Sequence, residues 1–459
     1  MLDGKIALTI AASLVWLTVY TWKSQRARRP PGPRRLPIVG NAFQMPQNYE
    51  WLTLSRWEQE YGRYTQNSRK GTYSPHQGDL VYLEAFGQPL LLLNSFKVAK
   101  DLLEKAIYSD RPHLEMARLK AGTILIRVAY GHYVSSDDDP FLTLIRASMS
   151  VFTRSAAAGV WLVDSIPLLK YFPRWLPGTG FLAKAKAWKD IVNKAVWAPY
   201  TRSKHCMESG SVLLPNTCAT ALAAISERLS PDVEEQLAWA AGTMTAGGLE
   251  TLIIGMLNFI LAMTLNPAVQ AKAQAEIDAV VGPDRLPLIS DQPSLPYVRS
   301  VLAEIIRLNP PIPLGVVHAL RQDHIYKGMH IPKGSIVLPN IWHMLHDPGV
   351  FTNPMAFDPD RYRNLDAEIE KVTSVVFGFG RRSCPGRSLA ESTLFAVAST
   401  VLATCEIAPK VDERGNDILP NVTYSSGIFR FPSRFECNIK SRTEHAQELL
   451  LHSVHEVPS

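Results

Sequence analysis

The stretch that decides the fold is Phe377-Gly378-Phe379-Gly380-Arg381-Arg382-Ser383-Cys384-Pro385-Gly386, which leads into a helical pattern over 387–403. Glycines let the backbone approach a flat ligand closely. Cys384 stands one residue before a proline, at the mouth of a helix. Backbone N–H groups and the helix dipole there lower a thiol pKa and favour the thiolate. Arg382 offers a fixed cation for a carboxylate. Thiolate, planar ligand and carboxylate-binding arginine together describe a haem held by cysteine, and such ligation favours O–O cleavage. Two alternatives stand beside this. A nucleotide loop fails, because Ser383 occupies the third glycine position of GxGxxG. A buried structural cysteine stays open on these residues alone.

Outward from the loop, the chain reads as mainly α with a small β part. Gly78–Glu84 and Pro89–Leu93 are apolar runs joined by Phe86-Gly87-Gln88, a hairpin signal. Ser95 caps a helix expected to end near Tyr108. Ser230-Pro231-Asp232 with Glu234 and Glu235 gives cap, first-position proline and first-turn acids. That helix could run to Asn266, and Gly247-Gly248 in its middle read either as a plain weak point of the helix or as a local bulge beside a ligand. Further helices are expected over 267–281 and 298–308, then short strands at 325–326, 330–331 and 335–339. Asp137-Asp138-Asp139 reads as solvated surface.

Composition narrows the class. Hydrophobic residues make up 46% of the 459 and charged residues 20%, which allows a large core and excludes global disorder. The net charge is +6, and residues 1–35 carry all of it: seven basic residues against Asp3. A nucleic-acid protein spreads its basic face over the folded part, so no nucleic-acid partner is expected. Five scattered cysteines make no disulfide framework. Ile6–Trp22 is 17 residues without a charge, followed by Lys23–Arg35. That order suits a retained, single-pass anchor with the body in the cytosol. The expected division is 1–22 anchor, 23–41 basic and proline-rich linker, and 42–459 catalytic domain.

The spacing F-x2-G-x-R-x-C-x-G of the loop resembles that of the cytochrome P-450 family. Three more segments resemble the family in order. Glu304-Ile305-Ile306-Arg307 matches its ExxR motif, with both charged side chains on one helix face. Phe357-Asp358-Pro359-Asp360-Arg361-Tyr362 matches its FxPxRF segment, whose arginine joins the ExxR pair. Ala246-Gly247-Gly248-Leu249-Glu250-Thr251 matches its oxygen-binding AGGxDT stretch, with Glu250 in place of aspartate. Shorter likenesses at 108–112, 168–180 and 331–334 point to fungal membrane-bound members.

The resemblance implies the cytochrome P-450 fold and a bound haem (heme b). It makes Cys384 the axial ligand of iron, places Phe377, Gly380 and Gly386 against the cofactor, and gives its carboxylates to Arg382 and His318. Thr251 and Glu250 would deliver protons to dioxygen. It implies one oxygen atom of O2 inserted into a lipophilic small molecule, in fungal secondary metabolism or xenobiotic oxidation. Electrons would come from NADPH-cytochrome P-450 reductase, docking near Arg381 and Arg387, with membrane lipid at the anchor and the endoplasmic reticulum as location. Substrate contacts are expected at 247–251, 311–317 and 425–429.

Two places depart from the pattern. Residues 63–77 are an extra polar stretch. After Arg111-Pro112 the family has a substrate-contacting loop and a WxxxR pair, whereas here 116–120 runs straight into 121–130, which resembles a segment further downstream. Several tens of residues are absent relative to that pattern. The second reading is therefore an inactive family member that binds haem poorly. A third, peroxide rearrangement without oxygen activation, is disfavoured by Glu250 and Thr251.

Overall fold

The computed structural model describes residues 29–36, 39–46, 48–62, 79–108, 123–134, 136, 138–155, 161, 163, 167–173, 175–211, 214–225, 230–362 and 364–455. The anchor, the 63–77 stretch and the 116–120 junction lie outside them.

The first sheet begins with β1 (Leu80–Ala85) and β2 (Gln88–Leu93), an antiparallel hairpin whose two-residue turn, Phe86-Gly87, has positive φ at both positions. That turn matches the strands' twist. The sheet order is β1-β2-β6-β3. β6 (Ile336–Pro339) runs parallel to β2, and β3 (His318–Ala319) antiparallel to β6. β4 (His324–Tyr326) and β5 (Met329–Ile331) form a second hairpin. β7 (Cys405–Val411) pairs with β8 (Asp417–Ile418) and β9 (Cys437–Ser441) in a third sheet.

The helices are α1 (Glu50–Gly62), α2 (Phe96–Leu103), α3 (Thr123–Tyr130), α4 (Pro140–Ser155), α5 (Gly180–Glu208), α6 (Thr217–Ala224), α7 (Pro231–Leu265), α8 (Pro267–Val280), α9 (Pro296–Leu308), α10 (Ile341–Leu345), α11 (Leu365–Val376), α12 (Arg387–Thr404) and α13 (Glu444–His455). Ser95 caps α2 by accepting from the Val98 N–H, but α2 stops at Leu103 and a 3-10 turn carries the chain to Tyr108. Ser230 caps α7 through Val233, with Pro231 in the first turn.

α7 organises the rest. Its middle packs through Leu249 and Leu252 against α3, α4 and α5, in a core with Leu125, Ile126, Ile145 and Tyr200. Its C-terminal half packs through Phe259 and Met263 against α8, α9 and α12, with Ile277, Val301 and Phe395. It is also the one described helix apolar enough to cross a membrane, with a mean hydropathy of 1.8 over its best window. Its side chains serve two protein cores instead. Of the two readings of Gly247-Gly248 the plain helix holds and the bulge does not: α7 is α-helical without interruption through both glycines. Packing on both sides offsets the propensity cost of two glycines, about 2 kcal/mol.

Asp139 corrects another expectation. It is buried, accepts from the Phe141 and Leu142 N–H groups at 2.9 and 3.1 Å, and sits 2.7 Å from His132 Nε2. It caps α4 rather than facing water. Burial alone would raise its carboxyl, but His132 and the two backbone donors outweigh that and hold it below its ordinary value.

Candidate active site

Behind the site lies a buried charge network. Glu304 and Arg307, one turn apart on α9, are both fully buried. Glu304 accepts from Arg307 Nε at 2.8 Å and Nη2 at 2.9 Å, and from Arg361 Nε at 3.0 and 3.1 Å. The Tyr362 hydroxyl and the Asp358 N–H also donate to it, each at 3.0 Å. Arg307 and Arg361 spend further N–H groups on the carbonyls of Leu345, Ala356 and Thr352. The network ties α9 to the 352–362 segment. Burial, then the Glu304 charge, pushes the Tyr362 hydroxyl far above its ordinary value, so it stays a donor.

The Cys384 loop is built by short backbone bonds. The Cys384 N–H donates to Phe377 O at 2.7 Å, and the Ser383 N–H to Gly380 O at 3.2 Å. Arg387, the first residue of α12, clasps α11: its Nη2 reaches Glu370 at 2.7 Å and Thr373 at 2.8 Å, and its Nε reaches Glu391 at 3.1 Å. Arg387 is thus engaged by two carboxylates, which weakens the expectation that it receives an acidic partner.

Between the loop and α7 lies a cavity of about 1540 Å³. One drug-sized ligand occupies roughly 300–1,000 Å³, so this space suits a large planar group and a second molecule. Phe377, Arg382, Cys384 and Gly386 line it from the loop, Gly247 and Thr251 from α7, and His318 from β3. Gly380 and Glu250 do not line it. Gly380 instead faces the end of α2, where a Cβ would stand 2.7 Å from Leu103 O, and its φ is +57°. Glu250 is turned about 100° around α7 from Thr251. Of the expected substrate contacts, 247–248, 251, 311–312 and 315–316 line the cavity. None of 425–429 does: Phe429 packs on Phe152, with ring centroids 6.0 Å apart. Sequence reasoning missed Leu125, Leu302, Ala303, Ile306, Ile369 and Thr373, which also line it.

The Thr251 hydroxyl donates to Gly247 O at 2.9 Å. His318 is buried and its Nδ1 donates to Tyr108 O at 3.0 Å, which leaves Nε2 as the ring's other polar atom. Burial pushes the Cys384 thiol above its ordinary value, and the Gly386 N–H offsets only part of that. The helix-mouth expectation of a lowered thiol is therefore not met by the protein's own groups. A bound metal ion removes the proton from a coordinating thiol outright.

The family model described as cytochrome P-450 matches residues 97–430. The chain is 42% identical to cytochrome P-450 monooxygenase 105 of Postia placenta, over 97% of this chain and 95% of the relative. It is 40% identical to monooxygenase 226 of the same fungus, over 98% and 95%. It is 32% identical to cytochrome P-450 monooxygenase claR of Ampulloclitocybe clavipes, over 95% and 91%.

The chain belongs to the cytochrome P-450 family. It is a haem-thiolate monooxygenase, with iron held by an axial cysteine. The residues present fit that group. A thiol opens onto a cavity larger than one ligand requires, an arginine and a histidine share its wall, and Gly247 leaves its side of α7 clear, with nothing within 4 Å of where a Cβ would stand. The alignment to the first relative runs over 511 residues against 459 in this chain, so at least 52 aligned positions have no counterpart here.

Proposed function

We propose that Cys384 is the axial ligand and that Arg382 and His318 hold the haem carboxylates, Phe377 and Gly386 packing beside them. Haem iron with a thiolate ligand supplies dioxygen reduction and O–O cleavage when bound. The protein's part is to hold the substrate, exclude water and deliver protons. Thr251 is the residue that passes protons into the cavity. Its hydroxyl rests on Gly247 O, and a rotation frees it to donate. Glu250 supplies the proton from the neighbouring face of α7 through water. Gly380 shapes the loop rather than touching the cofactor.

The substrate is a lipophilic small molecule, hydroxylated or epoxidised in secondary metabolism or xenobiotic oxidation. The apolar lining contributed by Trp239, Met244, Leu252, Ile306, Ile312 and Leu394 supports this. Electrons come from NADPH-cytochrome P-450 reductase. The chain is held at the endoplasmic reticulum membrane by residues 6–22. Leu168, Tyr171 and Trp175, 67%, 75% and 80% exposed around Lys170, have the composition of a surface that meets lipid head groups.

The observation that carries this reading is that Cys384 and Thr251 face one cavity from the loop and from α7. The test is the full chain in microsomes, reduced and exposed to carbon monoxide. A strongly red-shifted Soret band is expected. An unshifted band, or none, would favour the second reading, an inactive member.

A further inference from the structure

Among the described residues, all those lining the cavity lie at or beyond residue 232 except one, Leu125. It stands on α3. Its neighbours Ile126 and Ala129 are fully buried, so α3 is fixed in the core. The Leu125 side chain lies directly on α7. A Cβ at Gly248 would stand 2.2 Å from Leu125 Cδ1 and 3.2 Å from Cδ2. The adjacent Gly247 has nothing within 4 Å of the same point. The two glycines therefore do different work: Gly247 leaves cavity space open, and Gly248 admits Leu125. Gly248 precedes Thr251 by three residues, so Leu125 occupies the wall about one turn from the proposed proton donor.

We propose that Leu125 is a size-selecting residue of the cavity, setting how bulky an apolar ligand is accepted beside Gly247 and Thr251. The inference rests on the haem-thiolate reading above. Leu125 is held between a rigid helix and a bare backbone, so its branched end has little room to retreat. A change of side-chain length there passes directly into cavity width. One methylene more or less in an apolar pocket changes selectivity by about tenfold or more.

The test uses full-length holoenzyme and two nitrogen ligands of iron, imidazole and 4-phenylimidazole, titrated by difference spectroscopy. Leu125→Ala is expected to raise affinity for 4-phenylimidazole relative to imidazole by about tenfold, and Leu125→Phe to lower it similarly. Leu125→Met, which preserves volume, is expected to keep the wild-type ratio and serves as the folding control. Gly248→Ala is expected to shift the ratio while Leu125 is present and to leave it unchanged in combination with Leu125→Ala. Thermal unfolding supplies a readout independent of iron: Gly248→Ala should cost stability with Leu125 and little with L125A. A normal carbon monoxide spectrum with an unmoved ratio in every variant, or additive effects of the two substitutions, overturns this inference alone. A wild-type chain without the red-shifted band overturns the haem-thiolate reading, and this inference with it.

Discussion

Replacing Glu304 by glutamine tests whether the buried network holds the fold behind the site. The carboxylate accepts from five N–H and O–H groups on four residues, and two of those residues are arginines, 0% and 10% exposed at the side chain. Glutamine keeps the size but removes the charge. It also turns one end of the group into a donor facing guanidinium donors. Removing one partner of a buried pair costs about 3–5 kcal/mol, because the remaining charge stays desolvated. Domain stabilities are about 5–15 kcal/mol, so the loss is a large share of the total. With a urea slope of about 3 kcal/mol/M, the midpoint should fall by about 1–1.7 M. The assay is urea unfolding of the full chain in detergent micelles, followed by tryptophan fluorescence. Adding Arg361→Gln to Glu304→Gln should recover part of the loss, since it removes one stranded cation. A midpoint within about 0.3 M of wild type, on the same slope, would refute the network as a source of stability. Strictly additive losses in the double variant would refute the charge argument.

Three further outcomes are expected. Thr251→Ala should uncouple NADPH consumption from product while leaving stability within about 0.5 kcal/mol, as a half-exposed change without packing does. Unchanged coupling would remove Thr251 from proton delivery. Cys384→Ala should abolish the red-shifted carbon monoxide band and leave unfolding of the haem-free chain within about 0.5 kcal/mol, because the thiol faces the cavity and not the core. A retained band would move the ligand elsewhere. Asp139→Ala should cost about 1–2 kcal/mol at neutral pH through the lost cap of α4. The carboxyl is held below its ordinary value in the fold, so its contribution is present above about pH 4 and is lost as pH falls through the folded pKa. Wild type and variant should therefore converge in acid denaturation, and a constant gap down to pH 2 would contradict the assignment.

The local part of this fold was legible because its causes are local. Ser95 and Ser230 cap helices with their own side chains, Phe86-Gly87 turns within two residues, and Glu304 meets Arg307 on one helix face. The Cys384 loop was readable for the same reason, its bonds running between residues seven or fewer apart. Long-range pairings left no such trace. β3 has two residues, and β7 finds β9 nearly thirty residues later. Asp139 looked like one of three surface acids until His132 and the start of α4 closed around it.

By itself, the sequence determined which chemistry the chain carries: a cysteine at a helix mouth, an acid and an alcohol in mid-helix, a paired carboxylate and guanidinium. Spacing along one backbone fixes those relations. Only the tertiary structure decided which of these groups share a space. It put Thr251, Arg382, Cys384 and His318 on one cavity, turned Glu250 and Gly380 away from it, and brought in Leu125 from a helix that no motif had marked. A cavity is the gap left between elements distant in sequence, so its membership depends on how those elements pack.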